Sequence, residues 1–361
     1  MRRSTSFCFA LAFTLSPAFA LAQGYVPVIP DPDRVAEGIR FDDIFQVVRP
    51  DGTIQELVRC GAPRGVPGAE VLGPLGPLGG STADCDGSTN PSSIFDPGTS
   101  YLVDVWVHVI RNTSGSAGDI PVAEIYEQIA VLNEDFRGIP LSNGDPGSDG
   151  RLFFRLKGYD FTNNTTWYND SGTYYNSLAV TPATVLNIYT NTAGGNLGYV
   201  PFLPYTAPGS IGSNSDRVVI LSDSFGRDRG LLPDYDLGRT TTHEVGHYFN
   251  LEHTFNGGCA SATSPGCYSN GDLICDTPPE ADPNFGCPAS RNSCAAQPGN
   301  DPIENYMDYS DDVCMDRFTL EQMRRIRCTI ENYRTQLFQP VVFYEDFETG
   351  NTNAWDVPAG S

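Results

Sequence analysis

Basic side chains are scarce in this chain of 361 residues, which has 22 Lys and Arg residues against 44 Asp and Glu residues and a formal net charge of −22. So acidic a surface repels the phosphates of nucleic acids and the anionic lipids of membranes. We therefore expect no nucleic-acid partner, and the many carboxylates are suited to calcium. The length allows one large catalytic domain with smaller appendages.

Long apolar runs are absent from the sequence after its N-terminal segment, so no membrane span is expected. That segment is typical of a secretory signal: Arg2 and Arg3 are followed by an apolar stretch at residues 7–15 and by Ala-Leu-Ala at residues 20–22. The sequence therefore predicts a signal peptide at residues 1–22, secretion, and an oxidising compartment in which disulfides persist.

Histidine is rare, yet three of the four histidines fall in the run HEVGHYFNLEH at residues 243–253. On a helix, His243 and His247 share a face and can bind one metal ion, and Glu244 can reach a water on that ion. His253 can join them only if the helix ends and the chain turns back. Three neutral imidazoles with an open fourth position predict a catalytic zinc site, with Glu244 as general base. The alternative is a helix with incidental surface histidines, which the third histidine disfavours.

Hydrophobic periodicity predicts an order of strands and helices around this motif. The segment at residues 198–203 is predicted to be an edge strand, because Pro201 cannot donate to a central ladder. Strands precede the metal helix and few follow it, which indicates two lobes with the metal between them. The predicted strands are residues 101–110, 152–161, 186–190, 198–203 and 217–222, and the predicted helices are residues 120–136, 239–249 and 319–336.

Composition divides the chain further. Residues 23–95 are rich in Gly and Pro, and we interpret them as a propeptide; a disordered arm without function is the alternative. Residues 96–338 would form the catalytic domain, with an irregular, cysteine-rich segment at residues 257–314. Residues 339–361 would be an acidic tail, too short to build a core of its own.

The extended histidine motif resembles that of the metzincin metallopeptidases, which also carry a methionine-bearing turn; Asn-Tyr-Met-Asp-Tyr at residues 305–309 looks like that turn. The runs at residues 243–255 and 305–315 are similar to those of the pappalysin family, and the similarity extends from about residue 103 to residue 334. The resemblance implies an α+β fold of two lobes: a mixed twisted sheet with helices above, and an irregular disulfide-rich part with a C-terminal helix below. It also implies that Met307 lies beneath the zinc and that Tyr309 helps to stabilise the tetrahedral oxyanion.

The motif departs from the family at one position, where metzincins usually carry glycine and this chain has Asn250. The chain must adopt a left-handed conformation there to bring the third histidine round. Asparagine is the next most tolerant residue, so we expect the turn and zinc binding to be kept at modest energetic cost.

Gly-Asp-Leu-Ile-Cys-Asp-Thr-Pro at residues 271–278 resembles the calcium-binding loop of the family. By this resemblance Asp272 would bind calcium through its carboxylate and Thr277 through its carbonyl. The alternative is a polar turn in which the aspartate caps the backbone.

Nine cysteines remain once Cys8 leaves with the signal peptide, and an odd number needs an explanation in a secreted protein. The resemblance implies the disulfides Cys267–Cys294 and Cys287–Cys314, and Cys259 and Cys275 are candidates for a further pair.

Arg-Cys-Gly-Ala-Pro at residues 59–63 resembles the propeptide switch of matrix metalloproteases. The thiolate of Cys60 would fill the open position on zinc in a latent form and leave eight cysteines for four bridges. The alternative is a Cys60–Cys85 disulfide.

Peptide substrates would add a strand to the edge at Gly198, Tyr199 and Val200. Some pappalysins that cut before Arg or Lys carry an acidic residue at the base of the pocket for that residue; by the resemblance, Val313, just before Cys314, would take this position. A valine cannot pair with a buried guanidinium, so we expect an apolar residue there, unless Asp311 or Asp312 takes over.

The sequence as a whole predicts a secreted zinc endopeptidase made as a zymogen. A non-catalytic adhesion module with the same fold is one alternative, which an intact Glu244 disfavours. A zinc amidase acting on non-protein amides is another. The sequence does not indicate an oligomeric state.

Overall fold

The computed structural model describes residues 44–63, 85, 93–264 and 266–341. The predicted signal peptide and residues 342–361 of the predicted tail lie outside the described residues. In the described part the strands are β1 Ile44–Val48, β2 Ile54–Val58, β3 Ser100–Arg111, β4 Leu152–Asn163, β5 Leu186–Asn191, β6 Gly198–Tyr199, β7 Val218–Leu221 and β8 Phe338–Val341. The helices are α1 Val122–Asp135, α2 Thr165–Tyr168, α3 Tyr175–Leu178, α4 Arg239–Tyr248 and α5 Leu320–Asn332. None of these helices is long and apolar enough to cross a membrane.

A mixed sheet of six strands organises the fold: five lie in the order β4-β3-β5-β7-β6, and the sixth, β8, also pairs with β3. Strands β4, β3, β5 and β7 run parallel, and β6 pairs antiparallel with β7 at the edge. Strand β8 pairs antiparallel with the first residues of β3, and β5 pairs with its later residues. Strand β3 is buried almost throughout and is rich in valine, as expected of a central strand covered on both faces.

Alternate residues of the sheet point into two apolar cores. One core contains Val103, Val105 and Val107 of β3 together with side chains of α1, α4 and α5. The other contains Ile110 at the end of β3 and, from the β1–β2 hairpin, Phe45 and other side chains. The sheet therefore packs against α4, the helix predicted to bind the metal, on one face and against the N-terminal hairpin on the other.

Three of the predicted boundaries need correction. The last predicted helix, residues 319–336, ends at Asn332, because a turn in which Leu337 N donates to Arg334 O leads from it into β8. The predicted edge strand at residues 198–203 is reduced to Gly198–Tyr199, because Pro201 lacks an N–H and a turn follows in which Leu203 O accepts a hydrogen bond from Thr206 N. Strand β8 crosses residue 338, the predicted end of the catalytic domain, and extends to residue 341, and the Phe338 ring lies 4.4 Å from that of Tyr101.

The disulfides also differ from those expected. The structure forms Cys85–Cys328, Cys259–Cys294, Cys267–Cys275 and Cys287–Cys314, and Cys60 keeps a free thiol. The last of these bridges is one that the resemblance implied. The predicted Cys267–Cys294 pair is wrong, and so are the suggested Cys259–Cys275 and Cys60–Cys85 pairs. The reason is local: the loop after a short 3₁₀ turn brings Cys275 back beside Cys267, with Cα atoms 5.2 Å apart.

Candidate metal centre

Helix α4 carries the metal motif and is buried along its whole length. Its first residue follows Gly238, which has a left-handed backbone and offers no side-chain cap. The carboxylate of Asp312 replaces the cap, because it accepts hydrogen bonds from Leu237 N at 3.0 Å and from Arg239 N at 3.1 Å. A negative charge at this end also suits the helix dipole.

The three histidines converge on one point. His247 Nε2 lies 3.1 Å from His243 Nε2 and 3.0 Å from His253 Nε2. The Nδ1 atoms of His243 and His247 lie 2.7 Å from the carbonyl oxygens of Tyr306 and Leu251, respectively. A carbonyl can only accept, so both Nδ1 atoms carry the hydrogen and both Nε2 lone pairs face the centre.

A zinc ion fits this arrangement. Nitrogen ligands at about 2.0–2.1 Å from a tetrahedral zinc lie roughly 3.3 Å from one another, close to the separations seen here. Lone pairs brought this close repel one another unless a cation lies between them. Burial and the neighbouring His247 also lower the pKa of His243 well below its usual value, which favours the neutral ring that a metal requires.

The third histidine reaches the centre through the turn at Asn250. This residue has a φ of 78°, so the left-handed turn expected at this position is present. Its side chain does more than tolerate the turn: Oδ1 accepts a hydrogen bond from Tyr205 N at 3.1 Å, and Nδ2 donates to Cys85 O. A glycine could make neither contact, and the sequence motif alone did not indicate them.

Met307 lies against helix α4, and Tyr309 lies against two of the histidines. Met307 is fully buried beneath α4, where a Cβ on Gly246 would lie 2.5 Å from its sulfur. The ring of Tyr309 lies 5.0 Å from that of His253 and 5.9 Å from that of His243. The glycine at position 246 therefore allows the methionine turn to approach the helix closely.

Glu244 is fully buried next to the edge strand. A Cβ on Gly198 would lie 2.6 Å from Glu244 Cγ, so only glycine permits this approach. In the protein alone, burial raises the pKa of Glu244 to about 8, while a hydrogen bond with Cys60 and the charge of Arg59 act in the opposite direction.

Cys60 completes the group. Its sulfur and one nitrogen from each of the three histidines all lie within 4.8 Å of one another. Ala62 N donates a hydrogen bond to the sulfur at 3.3 Å. Burial and the nearby Glu244 raise the pKa of the thiol well above its usual value in the protein alone, so a cation at the centre is what would favour the thiolate.

The segment around Cys60 lies along the edge strand that was predicted to bind substrate. Leu197 N donates to Val58 O at 2.8 Å, and Gly61 N donates to Gly198 O at 2.9 Å. The segment runs parallel to the edge, with a bridge between Val58 and Asn196. Of the three predicted substrate-binding residues, Gly198 makes this main-chain contact.

The other two predicted substrate-binding residues are placed differently. The hydroxyl of Tyr199 donates to Asp170, at 2.9 Å from Oδ2, and the side chain of Val200 is buried in the core.

Arg59 fills a buried pocket beside the centre. Its Nη1 donates to Thr240 Oγ1 at 3.1 Å, its Nη2 lies 3.8 Å from Asp312 Oδ1, and its guanidinium carbon lies 4.9 Å from the centre of the Tyr235 ring. Arg59 and Asp312 are both almost fully inaccessible to solvent. An arginine directly before a candidate switch cysteine is the signal that could have identified this pocket from the sequence.

Val313 does not line the base of this pocket, and that prediction is wrong. Its side chain is 75% exposed, whereas Asp312 before it is buried. The short 3₁₀ turn Asp312–Cys314 directs the carboxylate inward, where helix α4 needs an acceptor, and leaves the valine on the surface.

Asp272 and Thr277 lie together in the loop that was predicted to bind calcium. Thr277 Oγ1 donates to Asp272 Oδ2 at 2.6 Å, and Ile274 N donates to Oδ1 at 3.1 Å. Both residues line a small cavity that also includes Asn270. Burial raises the pKa of Asp272 to about 7, so a carboxylate held there would gain from a cation.

Comparison with known proteins gives consistent matches. A family model of peptidase M43, described as pregnancy-associated plasma protein-A, matches residues 232–331. An extracellular metalloprotease of Pyricularia oryzae is 36% identical over 281 residues, which cover 76% of this chain and 89% of that protein. An extracellular metalloprotease of Podospora anserina is 39% identical over 238 residues, covering 64% of this chain and 74% of that protein.

Solved structures agree with these sequence matches. A mutant of Tannerella forsythia promirolysin superposes with a TM-score of 0.56 at 30% identity and covers 68% of this chain and 87% of its own. Mature mirolysin of Tannerella forsythia with a cleaved peptide has a TM-score of 0.54 at 31% identity, covering 68% of this chain and all of its own.

Proposed function

Because this chain belongs to the peptidase M43, or pappalysin, family of metalloproteases, we propose that it is a zinc endopeptidase whose metal is held by His243, His247 and His253. The observation that carries the proposal is the convergence of the three Nε2 atoms, two of them with their tautomer defined by a backbone carbonyl. The signal-like N-terminus and the extracellular metalloproteases among its relatives support secretion.

Zinc at such a site supplies a Lewis acid for the scissile carbonyl and makes water acidic enough to attack near neutral pH. Glu244 takes the proton of the attacking water and returns it to the leaving amine. Burial holds its carboxylate beside Gly198, on the strand against which the substrate lies. The hydroxyl of Tyr309 would donate a hydrogen bond to the developing oxyanion, and the ring contacts of Tyr309 with His243 and His253 support this role.

Removal of the base tests the mechanism. In the activated enzyme, Glu244→Ala should retain zinc and lower peptide cleavage by at least ~10²-fold, the lower range for loss of a general base. Zinc content is measured by elemental analysis and cleavage with a peptide mixture, with and without a zinc chelator. Normal turnover by this variant, or chelator-resistant cleavage by the parent, contradicts the mechanism. A binding module that only shares the fold would cleave nothing with Glu244 intact.

Latency would depend on Cys60. Its thiol shares the centre with the three histidines, and the segment around it lies along the edge that substrate would need. We expect the full-length protein to be nearly inactive and Cys60→Ala to be active without processing, in the same peptide assay. Equal latency of the two proteins would exclude the thiol as the blocking group.

The pocket of Arg59 indicates which substrates the enzyme prefers. Arg59 directly precedes Cys60, the residue that would face the metal. The side chain of Arg59 occupies this pocket, where its guanidinium lies near the buried carboxylate of Asp312. We therefore expect Arg or Lys after the scissile bond, the reverse of the expectation drawn from Val313. Cleavage-site profiling on a proteome-derived peptide library measures the preference, and Asp312→Asn should weaken it while keeping an acceptor for the helix N-terminus. A strong apolar preference in the parent enzyme would refute the role of this pocket.

Calcium is the second metal that we propose, at the loop that contains Asp272 and Thr277. The support is a buried carboxylate at a small polar cavity and the raised pKa that burial gives it. Its role would be to stabilise the loop rather than to act on substrate.

A further inference from the structure

Cys85 belongs to the catalytic domain by its contacts, although it lies within the stretch predicted to be propeptide. Its disulfide joins it to Cys328 on α5, and its side chain is buried. Its carbonyl accepts a hydrogen bond from the side chain of Asn250, in the turn that leads to the third histidine. Cys85 therefore contacts both α5 and the turn that follows α4.

The residues after Cys85 that the structure describes pack on the same helix. Phe95 shares a small apolar cluster with Cys85 and Cys328, and Arg324 Nε lies 2.5 Å from Asp96 Oδ1. Phe95 and Asp96 thus contact α5. The segment at residues 58–61, in contrast, lies along the edge strand and brings Cys60 to the three histidines.

We propose that the Cys85–Cys328 disulfide determines which cleavage can activate the enzyme, an inference that rests on the proposed latency through Cys60. A cut between residues 63 and 85 separates the Cys60 segment from the catalytic domain, so the segment dissociates. A cut after Cys85 leaves the segment bound covalently through the disulfide, and the nicked protein stays latent. The mature enzyme accordingly begins before Cys85 and retains this residue as a structural part of the domain.

The physical difference between the two cuts is one of concentration. A segment tethered by a short stretch of chain is present at its site at an effective concentration of order 1 mM, so at ~10 nM enzyme the tether favours rebinding by about 10⁵-fold over a freed segment. Inhibition by a freed segment weakens on dilution, whereas inhibition by a tethered segment does not. Dependence on dilution is therefore the signature that separates the two cases.

The experiment inserts the recognition site of a sequence-specific protease into the full-length chain at one of two places. The early site follows residue 72 and the late site follows residue 88. Each is made in the parent and in the double variant Cys85→Ser/Cys328→Ser, and uncut Cys60→Ala is the activity control. After cleavage, peptide hydrolysis is measured over a dilution series, and non-reducing electrophoresis shows whether the Cys60 fragment stays attached.

The inference predicts activity that appears on dilution for the early cut, and latency at every dilution for the late cut in the parent. The late cut in the double variant should behave like the early cut. Dilution-dependent activity of the late cut in the parent, or latency of the early cut at all dilutions beside an active Cys60→Ala protein, overturns the inference. If every form is inactive, including Cys60→Ala, the proposed peptidase activity or its latency through Cys60 is refuted instead. Electrophoresis then still shows whether the Cys60 fragment stays attached through the disulfide.

The native N-terminus gives a second test, which needs no cysteine variant. Intact mass and N-terminal sequencing of the active, self-processed protein should locate the new terminus between residues 64 and 85. An active enzyme that begins after Cys85 would overturn the inference.

Discussion

Gly198 offers the sharpest perturbation of the catalytic geometry, because a single methyl group should displace the base without touching the metal ligands. A Cβ at this position would lie 2.6 Å from Glu244 Cγ and 3.1 Å from both its Cδ and Oε1. Ordinary contacts between carbon atoms are about 3.5–4.0 Å. The Gly198→Ala variant must therefore move Glu244, the edge strand or both by roughly 1 Å.

The expected loss follows from that shift. A misplacement of about 1 Å at a reacting group can cost on the order of 10²-fold in rate, and the edge strand that aligns the substrate moves with it. We expect kcat/KM of Gly198→Ala to fall by 10- to 100-fold, as an order-of-magnitude estimate. Zinc content should stay unchanged, since the three atoms nearest to this Cβ all belong to Glu244 and none to a histidine.

The assay compares kcat/KM on a fluorogenic peptide and zinc content for the activated parent and two alanine variants. Gly209→Ala is the matched control, because Gly209 lies in a surface 3₁₀ turn where an added Cβ would have no neighbour within 4 Å. The control should retain the parent's activity. Full activity of Gly198→Ala would show that Glu244 has more room than the structure gives it, and would refute the close approach as a condition for catalysis.

Three further outcomes are expected. Asn250→Gly should keep the left-handed turn and the zinc but lose two side-chain hydrogen bonds, one of them from Tyr205 N. The free energy of unfolding should therefore fall by about 1–3 kcal/mol in a denaturation experiment. Unchanged stability would show that glycine serves as well as asparagine at this position. A calcium-selective chelator should lower the Tm of the parent without removing zinc and should have little further effect on Asp272→Asn; an equal shift in both proteins would locate calcium elsewhere. Burial and then the charge of Asp308 raise the pKa of Glu280, so the folded protein keeps a proton that the unfolded chain releases above about pH 4.5. The stability of the fold therefore falls as the pH rises above that value. Glu280→Gln removes this titration, so the decline of Tm between pH 5 and 9 should become shallower. An unchanged decline would mean that Glu280 is ionised in the folded protein.

Sequence reasoning was most successful where the signal is local. The helical spacing of His243 and His247 and the tolerance of Asn250 for a left-handed backbone are properties of a few adjacent residues, and the structure shows the helix and the turn. The central strands are equally local, because their valine-rich pattern reflects burial of β3 on both faces.

Features that depend on distant parts of the chain could not be predicted in the same way. The partner of Cys85 is 243 residues away, and no spacing rule reaches that far. The pocket of Arg59 depends on the path of the loop after the methionine turn. In that loop Asp312 is buried and the next residue, Val313, is exposed, so a shift of one position along the chain decides which side chain lines the pocket. Such choices are made by packing and by the hydrogen-bonding needs of a helix N-terminus, which a linear pattern does not contain.

The most direct test of the central claim is a paired measurement on the full-length chain: zinc stoichiometry and peptide cleavage for Cys60→Ala and for Cys60→Ala with Glu244→Ala. The account predicts one tightly held zinc ion in both proteins, chelator-sensitive cleavage by the first, and cleavage at least ~10²-fold slower in the second. Equal cleavage by the two proteins, or activity that persists after zinc has been removed, would contradict the assignment of this chain as a zinc endopeptidase with Glu244 as its base.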